Sequence, residues 1–294
     1  MNNLVRTVLA LALVAVCSAC ALPGAETAPA PDPVDTSAPT ATVEPSPQPT
    51  ATAEPPAGLD AAFGMVSLRL PAGLATGITG QVVPATEGNA DELPFWEIHP
   101  SHTVITLTGY TSQNTYFAPH IEVYPVPEFE SMNEGAARNL AELRSLLQER
   151  PEMAPEHLPM IPVFNAAQIV HAQMRYVDFQ DGSGVRYLAQ YGQAYMPVNN
   201  QELFYTFQGL TADGAYCVVA ILPVSATFLQ ATFEPDAPVP PDGVPFPGYQ
   251  ETDTAKIEAY YEAVTAELEQ APAGSLAPDL ALLDALMQSV RVLP

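Results

Sequence analysis

Lysine occurs once in 294 residues, at Lys256, and with eight arginines it faces 33 acids, a formal charge of −24. Nucleic-acid binding runs on Lys and Arg contacts to phosphate, so a chain this poor in bases is excluded from that class. Cysteine is nearly as scarce. Cys17, Cys20 and Cys217 cannot build the multi-bridge framework of a small disulfide scaffold. No glycine-rich phosphate loop occurs, and no internal repeat at solenoid periods. The one long apolar run, Val8 to Val16, falls short of the ~20 residues that cross a bilayer.

That run belongs to an export signal. Arg6 and the amino terminus supply a positive start, the apolar stretch follows, and small residues Ser18 and Ala19 precede Cys20. Ser18-Ala19-Cys20 resembles the bacterial lipobox, with Cys17 where that motif usually has Leu. The resemblance implies a diacylglyceryl group on the Cys20 thiol and cleavage before it. An ordinary signal peptide cut near Ala19 or Ala21, or an uncleaved anchor, are the other readings. Two acyl chains, at ~0.8 kcal/mol per buried CH₂, give stable attachment where one is marginal. The acidic body is repelled by anionic head groups, so the lipid has to anchor alone. The expectation is a signal peptide over 1–19 and membrane attachment through Cys20, outside the cytoplasm. Residues 21–58 then hold ten prolines, five acids, no base and no aromatic. Such a stretch buries too little apolar area to repay its ordering entropy and reads as a disordered spacer, 20–58 with its anchor.

From Leu59 the aromatics begin, and 59–294 reads as one α+β domain. Met65–Leu70, Gly77–Val83, Val104–Tyr110 and Ile121–Val126 read as strands. Ser131 and Glu134 form a capping box ahead of a helix whose face is Ala136, Leu140, Leu143 and Leu147, ended by Pro151. Residues 151–165 read as loop. Ile169–Phe179 and Val185–Met196 flank a turn cluster and read as a hairpin. A loop over 180–184 sets Asp178 opposite Arg186 and Tyr176 opposite Leu188. Leu203–Leu210 and Ala215–Leu222 form a second hairpin. The strand Tyr216–Leu222 is apolar on both faces and is expected to be central. A Pro-rich excursion to about Gln250 precedes helices over Thr254–Glu269 and Asp279–Val292.

Strands that pair locally, with helices set apart, predict an antiparallel sheet sandwiched between helices. The order resembles the PsbP-like sandwich family. The likeness rests on the strand ending at Leu70-Pro71, on Phe204-Tyr205-Thr206-Phe207 through Asp213-Gly214, and on Leu283 to Ser289. It implies a non-enzymatic accessory or binding module attached to a larger assembly. The chain departs from that family in its loops at 84–95, 151–165 and 233–252, and no site residue is carried over.

Chemistry-bearing residues are few. His99 and His102, with Glu97 and His120, could form a metal cluster, but Pro100 breaks any helix between the pair, which reads as exposed loop histidines. Ser183 lies in Gly-Ser-Gly without the strand–elbow–helix context of a nucleophile and reads as a turn serine. Cys217 sits in an apolar strand and reads as a buried hydrophobe. Glu87, Asp91 and Glu92 could hold a weak calcium ion, but their spacing is not that of an EF-hand. Tyr187, Tyr191 and Tyr195 share one parity of a strand. They could grip a sugar or peptide, or lie beneath a helix. The expectation is a non-enzymatic, membrane-tethered binding or accessory module with no metal or cofactor, its ligand or protein partner unnamed. A small-molecule, peptide or lipid carrier, or a hydrolase with dispersed residues, are the alternatives. A pocket is sought near Trp96, His102 and Tyr191.

Overall fold

A computed structural model describes residues 58–88, 93–112, 114–272 and 274–293. The signal peptide, Cys20 and the spacer to residue 57 lie outside them, as do Asp91 and Glu92. Seven strands form one antiparallel sheet. They are β3 (Gly77–Val83), β4 (His102–Thr108), β5 (His120–Pro125), β6 (Ala167–Phe179), β7 (Gly182–Gly192), β8 (Phe204–Thr211) and β9 (Tyr216–Pro223), in the order β3-β4-β5-β9-β8-β7-β6. Strand β9 is therefore central, as its two apolar faces predict. A smaller sheet joins β1 (Leu59–Phe63) and β2 (Val66–Leu70) to β12 (Arg291–Val292), and β10 (Ser225–Ala226) pairs with β11 (Leu276–Ala277). The helices are α1 (Val126–Met132), α2 (Glu134–Glu149), α3 (Thr254–Glu269) and α4 (Leu280–Ser289).

The period of two in each strand sorts its side chains onto two cores. Leu188, Tyr205, Phe207, Val218, Ala220 and Leu222 pack with Tyr260, Val264 and Leu268 of α3 and Leu283, Leu286 and Met287 of α4. The other parity, Tyr187, Phe204, Cys217, Val219 and Ile221, packs with Leu140, Leu143 and Leu146 of α2. The sheet thus lies between helical layers in an α+β fold. Helix α2 does not cover its face alone. The Pro-rich stretch expected to be loop sinks Leu158, Met160 and Ile161 onto the sheet. Gln208 holds it there: its Oε1 accepts from the Ile161 backbone NH at 3.0 Å, and its Nε2 donates to the Ile161 carbonyl at 3.0 Å.

The first hairpin is tighter than expected. Phe179 pairs with Gly182 across a two-residue turn at Gln180-Asp181, so Asp178 faces Ser183, Tyr176 faces Val185, and Arg175 faces Arg186. Gly182 and Gly184 are strand residues whose smallness serves packing. A Cβ on Gly182 would sit 2.1 Å from the Leu210 carbonyl oxygen, and one on Gly184 2.3 Å from the Phe207 ring. Strand β6 carries register shifts after Gln168 and Ala172, with Gln173 at φ 54°. There the Gln173 backbone NH donates to Glu269 and its side-chain amide to the Leu268 carbonyl, both at 2.8 Å. The expected last helix stops at Ser289, and Arg291 and Val292 turn into strand pairing with β2.

The helix cap also moves. Ser131 lies within α1 and bonds the Glu128 carbonyl, while Asn133 caps α2, its Oδ1 accepting from the Ala136 backbone NH at 3.0 Å. The Asn133 amide nitrogen donates to the carbonyls of Phe95 (2.7 Å) and Ile98 (3.0 Å). One buried side chain thus starts α2 and pins the short turn Phe95–Glu97 that carries Trp96, the sole tryptophan. Asn133→Ala removes the cap, typically ~1 kcal/mol, and strips two carbonyls of their donor. The expected cost is about 2–3 kcal/mol in urea unfolding, with a shifted Trp96 emission in the folded state.

Candidate functional site

A cavity of about 550 Å³ opens where β7 ends, lined by Trp96, Tyr116, Phe117, Val163, Phe164, Tyr191, Met196 and Glu202 among others. Its walls come from separate parts of the chain. Tyr191 is the next-to-last residue of β7, and Phe164 follows the segment that Gln208 clamps. Tyr116 and Phe117 lie between β4 and β5, where the Tyr116 backbone NH donates to the Gln201 carbonyl at 2.7 Å. The rings support one another: Phe117 stacks on Phe164 at 5.5 Å, Phe164 meets Tyr191 edge-on at 5.0 Å, and Phe204 lies beneath both Phe117 and Tyr191. Edge-on and offset pairs are the favoured aromatic geometries, so the wall is a braced surface.

Three polar side chains in this wall are bound internally. The Tyr191 hydroxyl accepts from Gln168 Nε2 at 2.7 Å, whose Oε1 in turn accepts from the Leu158 backbone NH. Burial pushes the Tyr191 phenol well above its usual range. Gln193 donates to the Asn165 carbonyl. Glu202 Oε2 accepts from Asn199 Nδ2 at 2.8 Å and from Gln190 Nε2 at 3.3 Å, both amides fully buried. Burial raises the Glu202 carboxyl above the ordinary glutamate value, opposed by the bond from Asn199.

Other residues singled out from the sequence go elsewhere. His102 is buried, not an exposed loop histidine: it opens β4 and stacks on Tyr124 at 4.3 Å. Its Nδ1 lies 2.9 Å from the Pro100 carbonyl, which can only accept, so Nδ1 carries the proton. Burial lowers its pKa. His99 lies edge-on to it at 4.7 Å, and His120 Nε2 is 3.7 Å from Glu122. Among the described residues no three His, Cys, Asp or Glu converge as metal ligands. Ser183 is not a turn serine; it pairs with Asp178 and Leu210 inside the sheet. The Cys217 thiol is fully buried and its pKa is raised by that burial. The tyrosine row divides. Tyr187 is buried with its hydroxyl on the Pro159 carbonyl at 2.8 Å, Tyr191 lines the cavity, and Tyr195 lies past the strand, exposed beside Tyr261. Glu202, Phe117 and Phe164 were missed. Aromatics held in proline-flanked loops, Tyr116-Phe117-Ala-Pro119 and Pro162-Val-Phe164, were the available signal.

A second polar cluster lies on the opposite face. Arg186 was expected opposite Asp178. The tighter register sends its buried side chain instead toward Asp284 of α4, with Nε 3.2 Å from Oδ1, while Asp178 binds Arg150 at 2.8 Å. Tyr205 donates to the same Asp284 oxygen at 3.1 Å, and Arg186 Nη1 donates to the Gln173 carbonyl. Arg175, exposed at the surface, stands 4.0 Å from Asp284 Oδ2.

The fold and cavity define the class: an α+β domain with a ring-lined hollow at one end of its sheet. No protein-family model, no curated protein and no solved structure matches this chain. Among the described residues no helix is long and apolar enough to cross a membrane.

The Arg186–Asp284 pair yields a stability prediction. Removing one partner of a buried ion pair leaves the other charge uncompensated, which costs about 3–5 kcal/mol, whereas replacing both by apolar groups is often neutral. Asp284→Ala should lower unfolding stability by that amount. The double change Arg186→Met with Asp284→Leu should recover most of it in the same urea titration.

Proposed function

We propose that this chain is a membrane-tethered extracytoplasmic lipoprotein acting as a non-catalytic binding module, and that the aromatic cavity is where it takes up a small, ring-bearing or apolar molecule. The carrying observation is the cavity itself. Concave, mostly apolar sites with few polar groups are where proteins bind small molecules, and this one has five lining aromatics, of which Phe117, Phe164 and Tyr191 are braced by Phe204. Its rings reach the surface: Trp96 is 39% and Tyr116 70% exposed. The nucleophile candidates do not compete with this reading, since Ser183 is held in a strand and Cys217 is sealed in the core. A carrier role differs from an accessory role only in whether the molecule is later handed on. The PsbP-like resemblance, with its accessory and binding modules, points the same way.

Tethering and binding are tested separately. Cys20→Ala should move the protein from the membrane fraction into the medium; unchanged fractionation would reject the lipid anchor. For binding, the neutral apolar dye Nile red should bind the full-length protein and quench Trp96. Ala166→Trp, which fills the cavity from its half-buried rim, should weaken that binding at least tenfold without lowering the unfolding midpoint. Equal dye affinity in the two proteins would refute the cavity as the site.

A further inference from the structure

Resting on the aromatic cavity as a binding site, we propose that its ligand is a small organic cation, an alkylated ammonium, seated against the rings with Glu202 as its counter-charge. Glu202 is the single charged residue among those lining the cavity. A molecule that fills the hollow strips water from that carboxylate. A neutral occupant leaves that charge with only the Asn199 and Gln190 amides to offset its lost water, and an anionic one adds repulsion. A cation repays it. Aromatic faces carry negative potential and attract cations, more strongly as water is excluded. Trp96, Tyr116, Phe117, Phe164 and Tyr191 are the rings that line the cavity with this one acid.

The support behind Glu202 fits this role. One carboxylate oxygen is fixed by the buried amides of Asn199 and Gln190, and the Gln190 Oε1 in turn accepts from the Asn199 backbone NH at 2.9 Å. The other oxygen has no hydrogen-bond partner among the described residues. The Tyr191 hydroxyl and the Gln193 amide are already engaged with Gln168 and Asn165. A polyhydroxylated ligand such as a sugar needs many hydrogen-bond partners, whereas an alkylated ammonium needs only rings and one acid. No Lys or Arg lines the cavity, and the chain carries −24 overall, a field that concentrates cations near the surface.

The discriminating pair is benzyltrimethylammonium and its neutral isostere neopentylbenzene, measured by equilibrium dialysis against the full-length protein. The cation should bind at least tenfold tighter, and added salt should weaken the cation alone. Glu202→Gln should abolish the preference while leaving the neutral affinity in place. Because that change also touches Asn199 and Gln190, Tyr116→Ala at the exposed rim is the companion variant and should reduce cation affinity severalfold. Equal affinities for the two probes would overturn the cation assignment and leave the cavity reading intact. Binding of neither would overturn both, as would a preference unchanged in both variants overturn the role given to Glu202 and the rings.

Discussion

A sheet whose middle strands are apolar on both faces has to be covered twice, and most of this molecule follows from that constraint. Strands β8 and β9 carry no solvent face: Phe204 and Tyr205, or Val218 and Val219, point opposite ways and are all buried. Helices α3 and α4 close one side with regular stripes. On the other, α2 and the short α1 face several strands, and the remainder is covered by the irregular stretch through Leu158, Met160 and Ile161. Irregular backbone over an apolar surface exposes its peptide groups to a place without water. The Gln208 amide, satisfying both groups of Ile161, is what makes that cover tolerable. The chain leaving the clamp supplies Val163 and Phe164, so the cavity wall is a by-product of covering the sheet.

Elements with strong periodicity were legible before any coordinates. Helix α3 runs over the residues its apolar spacing indicates, and the central place of β9 is written in its unbroken Tyr216–Leu222 run. The misreadings share a cause: the deciding partner is distant in sequence. Gly182 and Gly184 look like turn residues until Phe207 and Leu210 arrive from the next strand. Ser131 and Glu134 make a good capping box on paper, but Asn133 has a further use for its amide in Phe95 and Ile98, 35 or more residues upstream. Helix α4 gives way to strand at Arg291 because β2, near the other end of the domain, offers an edge to pair with.

The site was legible only in part. Tyr191 follows from strand parity, and Trp96 belongs to the hollow as anticipated, but His102 faces Tyr124 in the core. Glu202 carried no local signal, because an acid next to Gln201 in a connector looks like any of the other 32. Its meaning arises from Asn199 and Gln190, buried amides that hold it at the cavity wall. Arg186 is the same lesson with opposite sign: an arginine in an apolar strand announces a buried partner, yet only the hairpin register decides that the partner is Asp284.

The kink in β6 has a consequence for the molecule's behaviour in company. An outermost strand normally offers a ladder of free amides to any passing chain, the seed of polymeric β-structure. Here the distorted stretch around Gln173 interrupts that ladder, and its spare NH is already taken by Glu269 at the end of α3. Thirteen residues of strand therefore present no continuous template for a neighbour. A second copy meeting that flank would find an interrupted ladder to pair with.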